Sequence, residues 1–400
     1  MSHEGAKSLW TKPKHHFEAG ERSDHVHWVE LFYDLIHVAT IFILGNYLSH
    51  HLDIQGVLTF AGVFIALWFA WADLSAYNSL YISTDAWHRV VMAVLICTVM
   101  IMGAAIPAIT GNGWPYFALA FAVNRALLAL LYYRVQHIGE DASALPREMG
   151  RNFLVLAAVF TLSAFLPKPA AFWVFAIGVI SIQLLYALPL VGLLRFERFV
   201  PRLGHLAERF ALLTLIVLGE GFFKLVVTLS EKGVYKVTPD ILINFIIGGL
   251  SIFAACWVYF ETVGNSHPRN ERTPTLVIWW LAHLLLMLCG VMIGVAVAGE
   301  VKIGFMDPFP VDYGAVGCIG LAGYIGAVWI IQSVTEPSDI HQYATPLLHA
   351  FGIALSIATF FIVPYVPSIV GNMLWGTALF SQILIPLLRA RLAHKPVQAL

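Results

Sequence analysis

His27, Glu30, Asp34 and His37 fall at i, i+3, i+7 and i+10 of one otherwise apolar run. At about 100° per residue, a helix puts all four on a stripe roughly 80° wide. With a rise of about 1.5 Å per residue, His37 lies about 10 Å along the axis from Glu30. Carboxylates and imidazoles on one face can bind a cation or pass a proton, because neighbouring carboxyls share protons and an imidazole takes and releases them near neutral pH. The competing expectation is structural. These acids would pair with Arg202, Arg209, Arg89 or Arg125, or sit at helix starts where a carboxylate is favoured, a role that suits Glu30 and Glu208.

Other ionisable residues interrupt apolar runs further along. Asp73 comes near the end of the second run, Arg125 lies in the fourth, and His283 lies in the ninth. Glu208 opens the seventh run and Glu261 closes the eighth. Glu220 and Lys224, at i and i+4, are in the favourable order for an ion pair. Arg125 needs a counter-ion, and Asp34, Asp73 and Glu220 are the candidates. A charge in hydrocarbon is costly, so such groups face the interior of a helical bundle and mark a pathway, a relay or a pair. The expected substrate or ion pathway is Glu30, Asp34, His37, Asp73, Arg125, Glu208, Glu220, Glu261 and His283. His27 with Glu30, and His205 with Glu208, are weak metal-ligand candidates at one-turn spacing. No zinc-protease pair, nucleophile motif or phosphate loop is present, so neither an enzyme nor a cofactor is expected.

These residues must be positioned by membrane helices. The 400-residue chain is 59% hydrophobic and 12% charged, with a mean hydropathy of +0.77. A soluble domain carries roughly 25% charged residues. A span needs about 20 mostly apolar residues. Such runs cover 28–49, 56–80, 88–108, 114–134, 152–167, 171–194, 205–229, 240–263, 274–299, 312–334, 343–364 and 367–389. The fold class is therefore all-α, a polytopic bundle of about twelve spans. Cys97, Cys256, Cys289 and Cys318 all lie inside these runs and read as small buried hydrophobes. No cleavable leader is visible, so the first span acts as an uncleaved anchor. No basic run suits nucleic acid; the expected partners are the bilayer and a small solute or cation.

Lys and Arg set the orientation. Lys7, Lys12, Lys14, Arg22, Arg89, Arg134, Arg147, Arg151, Arg195, Arg198, Arg202, Arg209, Arg269, Arg272, Arg389, Arg391 and Lys395 fall on one side. The other side has Lys168, Lys232, Lys236 and Lys302, with Lys224 nearby. A multi-pass protein of the cell membrane with both termini in the cytoplasm follows. Trp28, Trp114, Tyr116, Trp173 and Trp375 lie near span ends, where aromatic belts form.

The chain also reads as a repeat. His27, Glu30 and Phe32 open the first span, and His205, Glu208 and Phe210 recur in register at the seventh. The segments are a polar start (1–27), a first six-span half (28–194), a linker (195–204), a second half (205–389) and a tail (390–400). An even number of spans per half makes this a parallel repeat about an axis along the membrane normal. Asp34 and His37 have Leu212 and Leu215 as counterparts, so chemistry at His37 belongs to the first half alone. Gly314, Gly317, Gly320, Gly323 and Gly326, with Gly290 and Gly294, allow close helix approach.

The segment Trp28-Val-Glu30-Leu-Phe32-Tyr33-Asp34-Leu-Ile-His37-Val resembles the opening motif of the bacterial low temperature requirement A family. Glu208-Arg-Phe-Ala-Leu-Leu-Thr-Leu-Ile-Val-Leu-Gly219-Glu220 is similar to a second stretch of that family. Tyr33 and His37 depart from the pattern, which has Phe and an apolar residue there. The resemblance implies a polytopic membrane protein linked to growth in the cold. The sequence points to a transporter or channel for a cation, proton or small solute, on a path lined by carboxylates. An intramembrane enzyme or metal protein, and a membrane sensor or scaffold, are the alternatives.

Overall fold

The computed structural model describes residues 11, 13–16, 26–83, 85–136, 144–187, 201–264, 266–337 and 340–393. The orientation residues Lys7, Lys12, Arg22, Arg195, Arg198 and Lys395 lie outside these, as do the end of the 171–194 run and parts of the 1–27, 195–204 and 390–400 segments. Twelve long helices follow in order: α1 (Trp28–His50), α2 (Ile54–Leu80), α3 (Ala86–Ala105), α4 (Trp114–Val135), α5 (Ala144–Phe165), α6 (Ala170–Ala187), α7 (Leu203–Lys232), α8 (Pro239–Thr262), α9 (Thr273–Glu300), α10 (Val311–Val334), α11 (Pro346–Ile362) and α12 (Ser368–Ala393). Eleven are long and apolar enough to cross a membrane; α6 has a shorter apolar stretch, Ala170–Ser181. The chain is a multi-pass membrane protein. Local chemistry sets several helix starts: Pro115, Pro239, Pro274 and Pro346 occupy first-turn positions of α4, α8, α9 and α11, where a missing N–H costs nothing.

The chain divides into two compact units, Met1–Leu44 with Gly62–Arg209, and Gly45–Ala61 with Phe210–Leu400. In the first, α4 packs along α3 and α5, and α5 along α6. Its apolar centre is a set of rings: Phe121 meets Phe160 edge to face at 4.7 Å, and Trp114 meets Phe175 at 5.0 Å. A two-residue strand, β1 (Lys14–His15), pairs antiparallel with β2 (Tyr81–Ile82). Asp85 secures that strand from outside the spans. It caps α3 through the His88 N–H at 3.2 Å, accepts from the Thr11 N–H at 3.3 Å, and pairs with Arg134. Burial raises the Asp85 carboxyl, but the Arg134 hydrogen bond, the His88 and Thr11 N–H groups and the Arg134 charge outweigh it and hold the pKa below the ordinary carboxylate value.

In the second unit α9 packs along α10, α10 along α11, and α12 along α8 and α11. Most of these glycines act by close packing, Gly326 being an exception with nothing nearer than 3.9 Å to a Cβ there. A Cβ on Gly320 would stand 2.9 Å from Met292 Cβ and 3.2 Å from the Cys289 carbonyl oxygen, and one on Gly294 would stand 3.1 Å from Gly221 Cα. Two local expectations need correction. Cys97 is exposed and Cys256 half-buried, so only Cys289 and Cys318 are core hydrophobes. Trp114 and Trp375 are also buried, because their indoles donate inward to the Ser163 carbonyl oxygen and Cys318 Sγ. Trp28, Tyr116 and Trp173 remain exposed as belt residues would be.

Candidate functional site

The polar stripe of α1 faces inward. Tyr33, Asp34, His37, Ile41 and Leu44 are buried, while Leu31, Phe32 and Leu35 are exposed. This is the inverse of a soluble amphipathic helix, and it follows when hydrocarbon is the outer solvent. Two elements meet the stripe within the first unit. One is the face of α2 that carries Trp71, Ser75, Asn78 and Ser79, at i, i+4, i+7 and i+8. The other is the first part of α7, with His205 and Arg209 one turn apart on one face.

Arg209 joins them. Its Nη1 donates to Glu30 Oε2 at 2.6 Å, and its Nη2 donates to Asp34 Oδ1 at 2.7 Å and to Ser75 Oγ at 3.1 Å. Trp71 Nε1 donates to the same Asp34 oxygen at 2.6 Å, and the guanidinium carbon lies 5.5 Å from the Trp71 ring centroid. His205 Nε2 lies 3.5 Å from Glu30 Oε2, and its Nδ1 is 3.0 Å from Ser79 Oγ. Arg202 donates to the Ser79 and Asn78 carbonyl oxygens. The guanidinium thus divides its two amino groups between two acids, instead of gripping one carboxylate with both. Asp34 Oδ2 and Arg209 Nε are left buried with no hydrogen-bond partner among the described residues. One turn further along α1, His37 Nδ1 donates to the Tyr33 carbonyl oxygen at 3.1 Å. That bond fixes the tautomer and leaves the lone pair on the other nitrogen. This Nε2 is also buried and partnerless.

Asp73 leaves α2 on the opposite side and pairs with Arg125 of α4, both fully buried. Arg125 also donates to Asn124 Oδ1 at 2.8 Å, Asn124 donates to Thr98 Oγ1 at 2.8 Å, and the guanidinium carbon stands 4.9 Å from the Phe121 ring centroid. Of the three candidate counter-ions for Arg125, Asp73 is the one in place.

The remaining site residues lie elsewhere. Glu208 is exposed, about 100° round α7 from Arg209, and Glu261 is exposed in the second unit, accepting from Trp257 Nε1 at 3.3 Å. Within the first unit, Glu30 and Asp34 meet on Arg209, and Asp73 meets Arg125. Glu220 and Lys224 are both buried on α7, yet no hydrogen bond joins them. His283 is a packed core residue: Nδ1 donates to the Trp279 carbonyl oxygen at 2.8 Å and the ring stacks on Phe210 at 4.5 Å. His27 Nδ1 accepts from the Val29 N–H at 3.4 Å. Among the described residues no three His, Cys, Asp or Glu side chains are arranged to hold a metal ion. Sequence reasoning named Arg209 among four arginines that could pair with the acids, and Arg209 is the one that Glu30 and Asp34 hold, but it missed the roles of Trp71 and Ser75. The i, i+4 spacing of His205 and Arg209, and of Trp71 and Ser75, is the signal that could have found them.

Comparison with known proteins agrees with this architecture. An uncharacterized protein of Rhizobium meliloti (strain 1021) is 25% identical, the match covering 93% of this chain and 95% of the relative. Residues 25–390 match the bacterial low temperature requirement A protein (LtrA) family, a stretch that holds α1 to α12 almost entire. The chain belongs to the bacterial low temperature requirement A family.

Proposed function

We propose that the chain carries a proton or small cation across the membrane, and that Glu30, Asp34 and His37 with Arg209 form the polar part of its path. One observation supports this most. Among the described residues, Asp34 takes two donors on Oδ1 and none on Oδ2, while His37, one turn along, has no partner on Nε2. A purely structural ion pair in a low-dielectric interior has every reason to use both oxygens, because an unmet buried acceptor is costly. A permeating cation, or a water carrying a proton, would use Oδ2 and Nε2. On this reading the chain lies in the cell membrane with both ends in the cytoplasm, its two six-span halves are a parallel repeat, and it acts as a carrier or channel, not as an enzyme. The lipid and the transported ion are its partners.

The test is flux in liposomes containing the purified protein, with an internal pH dye or an alkali-ion dye. Wild-type protein should dissipate an imposed gradient. Asp34→Asn should cut the rate at least tenfold, and Leu35→Ala, on the exposed face, should leave it intact. An Asp34→Asn protein that conducts at the wild-type rate would sink the proposal, as would a wild type that moves no proton, sodium or potassium.

A further inference from the structure

The second unit holds a carboxylate that this path does not use. Glu300 ends α9 and is fully buried (0% exposed). Neither of its carboxyl oxygens has a hydrogen-bond partner among the described residues. The cation next to it in sequence, Lys302, is exposed and donates to the Tyr313 hydroxyl at 3.0 Å.

The surroundings of Glu300 are polar and ordered. Asn244, in the second turn of α8, donates through Nδ2 to the Glu300 carbonyl oxygen at 3.3 Å, the Ile303 carbonyl oxygen at 3.1 Å and Ser368 Oγ at 3.4 Å. Ser368, at the start of α12, donates to the Phe305 carbonyl oxygen at 3.1 Å. Three acceptors around Nδ2 fix which way the Asn244 amide points, so the identity of its free oxygen is set by its own bonds. That Oδ1 is buried and partnerless. Asn372 of α12 interacts with the Glu300 carboxyl, but its buried Nδ2 is not within hydrogen-bonding geometry of any described residue. Outside this cluster two further acids line Gly304: a Cβ there would stand 3.1 Å from Asp307 Oδ2 and nearer still to an Asp240 oxygen.

A buried anion with no counter-charge must acquire one. Among the described residues no donor reaches three oxygens here, both of the Glu300 carboxyl and the Asn244 Oδ1. A proton on Glu300 occupies one oxygen. A hard cation takes oxygen ligands from carboxylate and amide together, and ends of membrane helices beside loosened backbone are where transporters hold such ions. We propose that Glu300 and Asn244 form a binding site for an alkali-metal cation, with Glu300 as its anionic ligand.

The site is read by equilibrium binding to the full-length protein in detergent, so a failed flux assay leaves it standing. Thermal unfolding is followed at pH 8 in sodium, potassium, lithium or choline chloride at equal ionic strength, alongside radiolabelled sodium binding. One alkali ion should raise the Tm saturably where choline does not. Glu300→Gln, which keeps shape and removes the charge, should abolish that rise, and Asn244→Ala should weaken binding at least tenfold. If all four salts act alike on the wild type, the carboxyl holds a proton only and the proposal fails. Retention of binding in Glu300→Gln would refute it equally. If Glu300→Gln does not fold, the wild-type salt series and Asn244→Ala decide the matter.

Discussion

Replacing Arg209 by methionine keeps much of the side chain's length and removes one positive charge from between two acids. Glu30 and Asp34 hold that guanidinium at 2.6 and 2.7 Å. Removing one partner of a buried ion pair typically costs about 3–5 kcal/mol, because the other charge is stranded. Most of this loss falls on Asp34, whose side chain is 0% exposed, against 12% for Glu30. Glu30 also keeps His205 at 3.5 Å and the charge of Arg202 nearby. Asp34→Asn alone should cost only about 1–2 kcal/mol, since the amide oxygen can still accept from Trp71 and the Arg209–Glu30 pair survives. In the double variant the stranded charge is gone, so Asp34→Asn should restore about 1–3 kcal/mol to Arg209→Met, the usual coupling between groups in contact. Unfolding titrations in mixed micelles, followed by tryptophan fluorescence, give all three values. An Arg209→Met protein within about 0.5 kcal/mol of wild type would refute the reasoning, since that is the ordinary scatter of surface substitutions. Strict additivity of the two single changes would refute it as well.

Other consequences are local. Gly320→Leu puts a side chain where even a Cβ would stand 2.9 Å from Met292 Cβ. It should destabilise the second unit by at least about 1–3 kcal/mol, the usual cost of overpacking; wild-type stability in the same micelle titration would count against close α9–α10 packing. The Asp85 carboxyl is held below its ordinary pKa, so its stabilising contribution is complete above the unfolded value of about 3.9 and is lost as pH falls through the lower folded value. Hydrogen exchange, corrected for intrinsic rates, should find Lys14 and His15 protected at pH 5 and above and released only in stronger acid. Asp85→Asn should release them at pH 7, and unchanged protection in that variant would show that Asp85 does not secure β1.

Much of the fold was legible because hydropathy is a one-dimensional property. The run expected over 274–299 became Thr273–Glu300, and that over 240–263 became Pro239–Thr262. The span expected from 152 starts instead at Ala144. Arg147, Glu148 and Arg151 dilute the apolar signal there, while Leu145, Met149 and Gly150 pack inward, with Gly150 against Tyr133. In the site, the period of α1 correctly turned Asp34 and His37 inward. Partner choice was not legible, because it depends on contacts between residues far apart in the chain. Arg125 had three candidate acids and Asp73 took it. Arg209 was one of four arginines that could meet the acids, and the sequence did not say which would. Glu300 went unnoticed since it falls one residue past the expected span end.

The two sides of α2 constrain how the first unit can work. Trp71 is tied to Asp34, and Asp73, two residues on, is tied to Arg125. Their side chains leave the axis about 200° apart, so α2 is gripped from opposite flanks at one level. A rotation of that rod would tear both grips in the same movement, costing Asp34 a donor and leaving Arg125 without its counter-ion. If the proposed path works by a stroke, α2 and α4 would ride together as its stator, and α1 or the opening turns of α7, where one guanidinium bridges two acids, would be the part that slides.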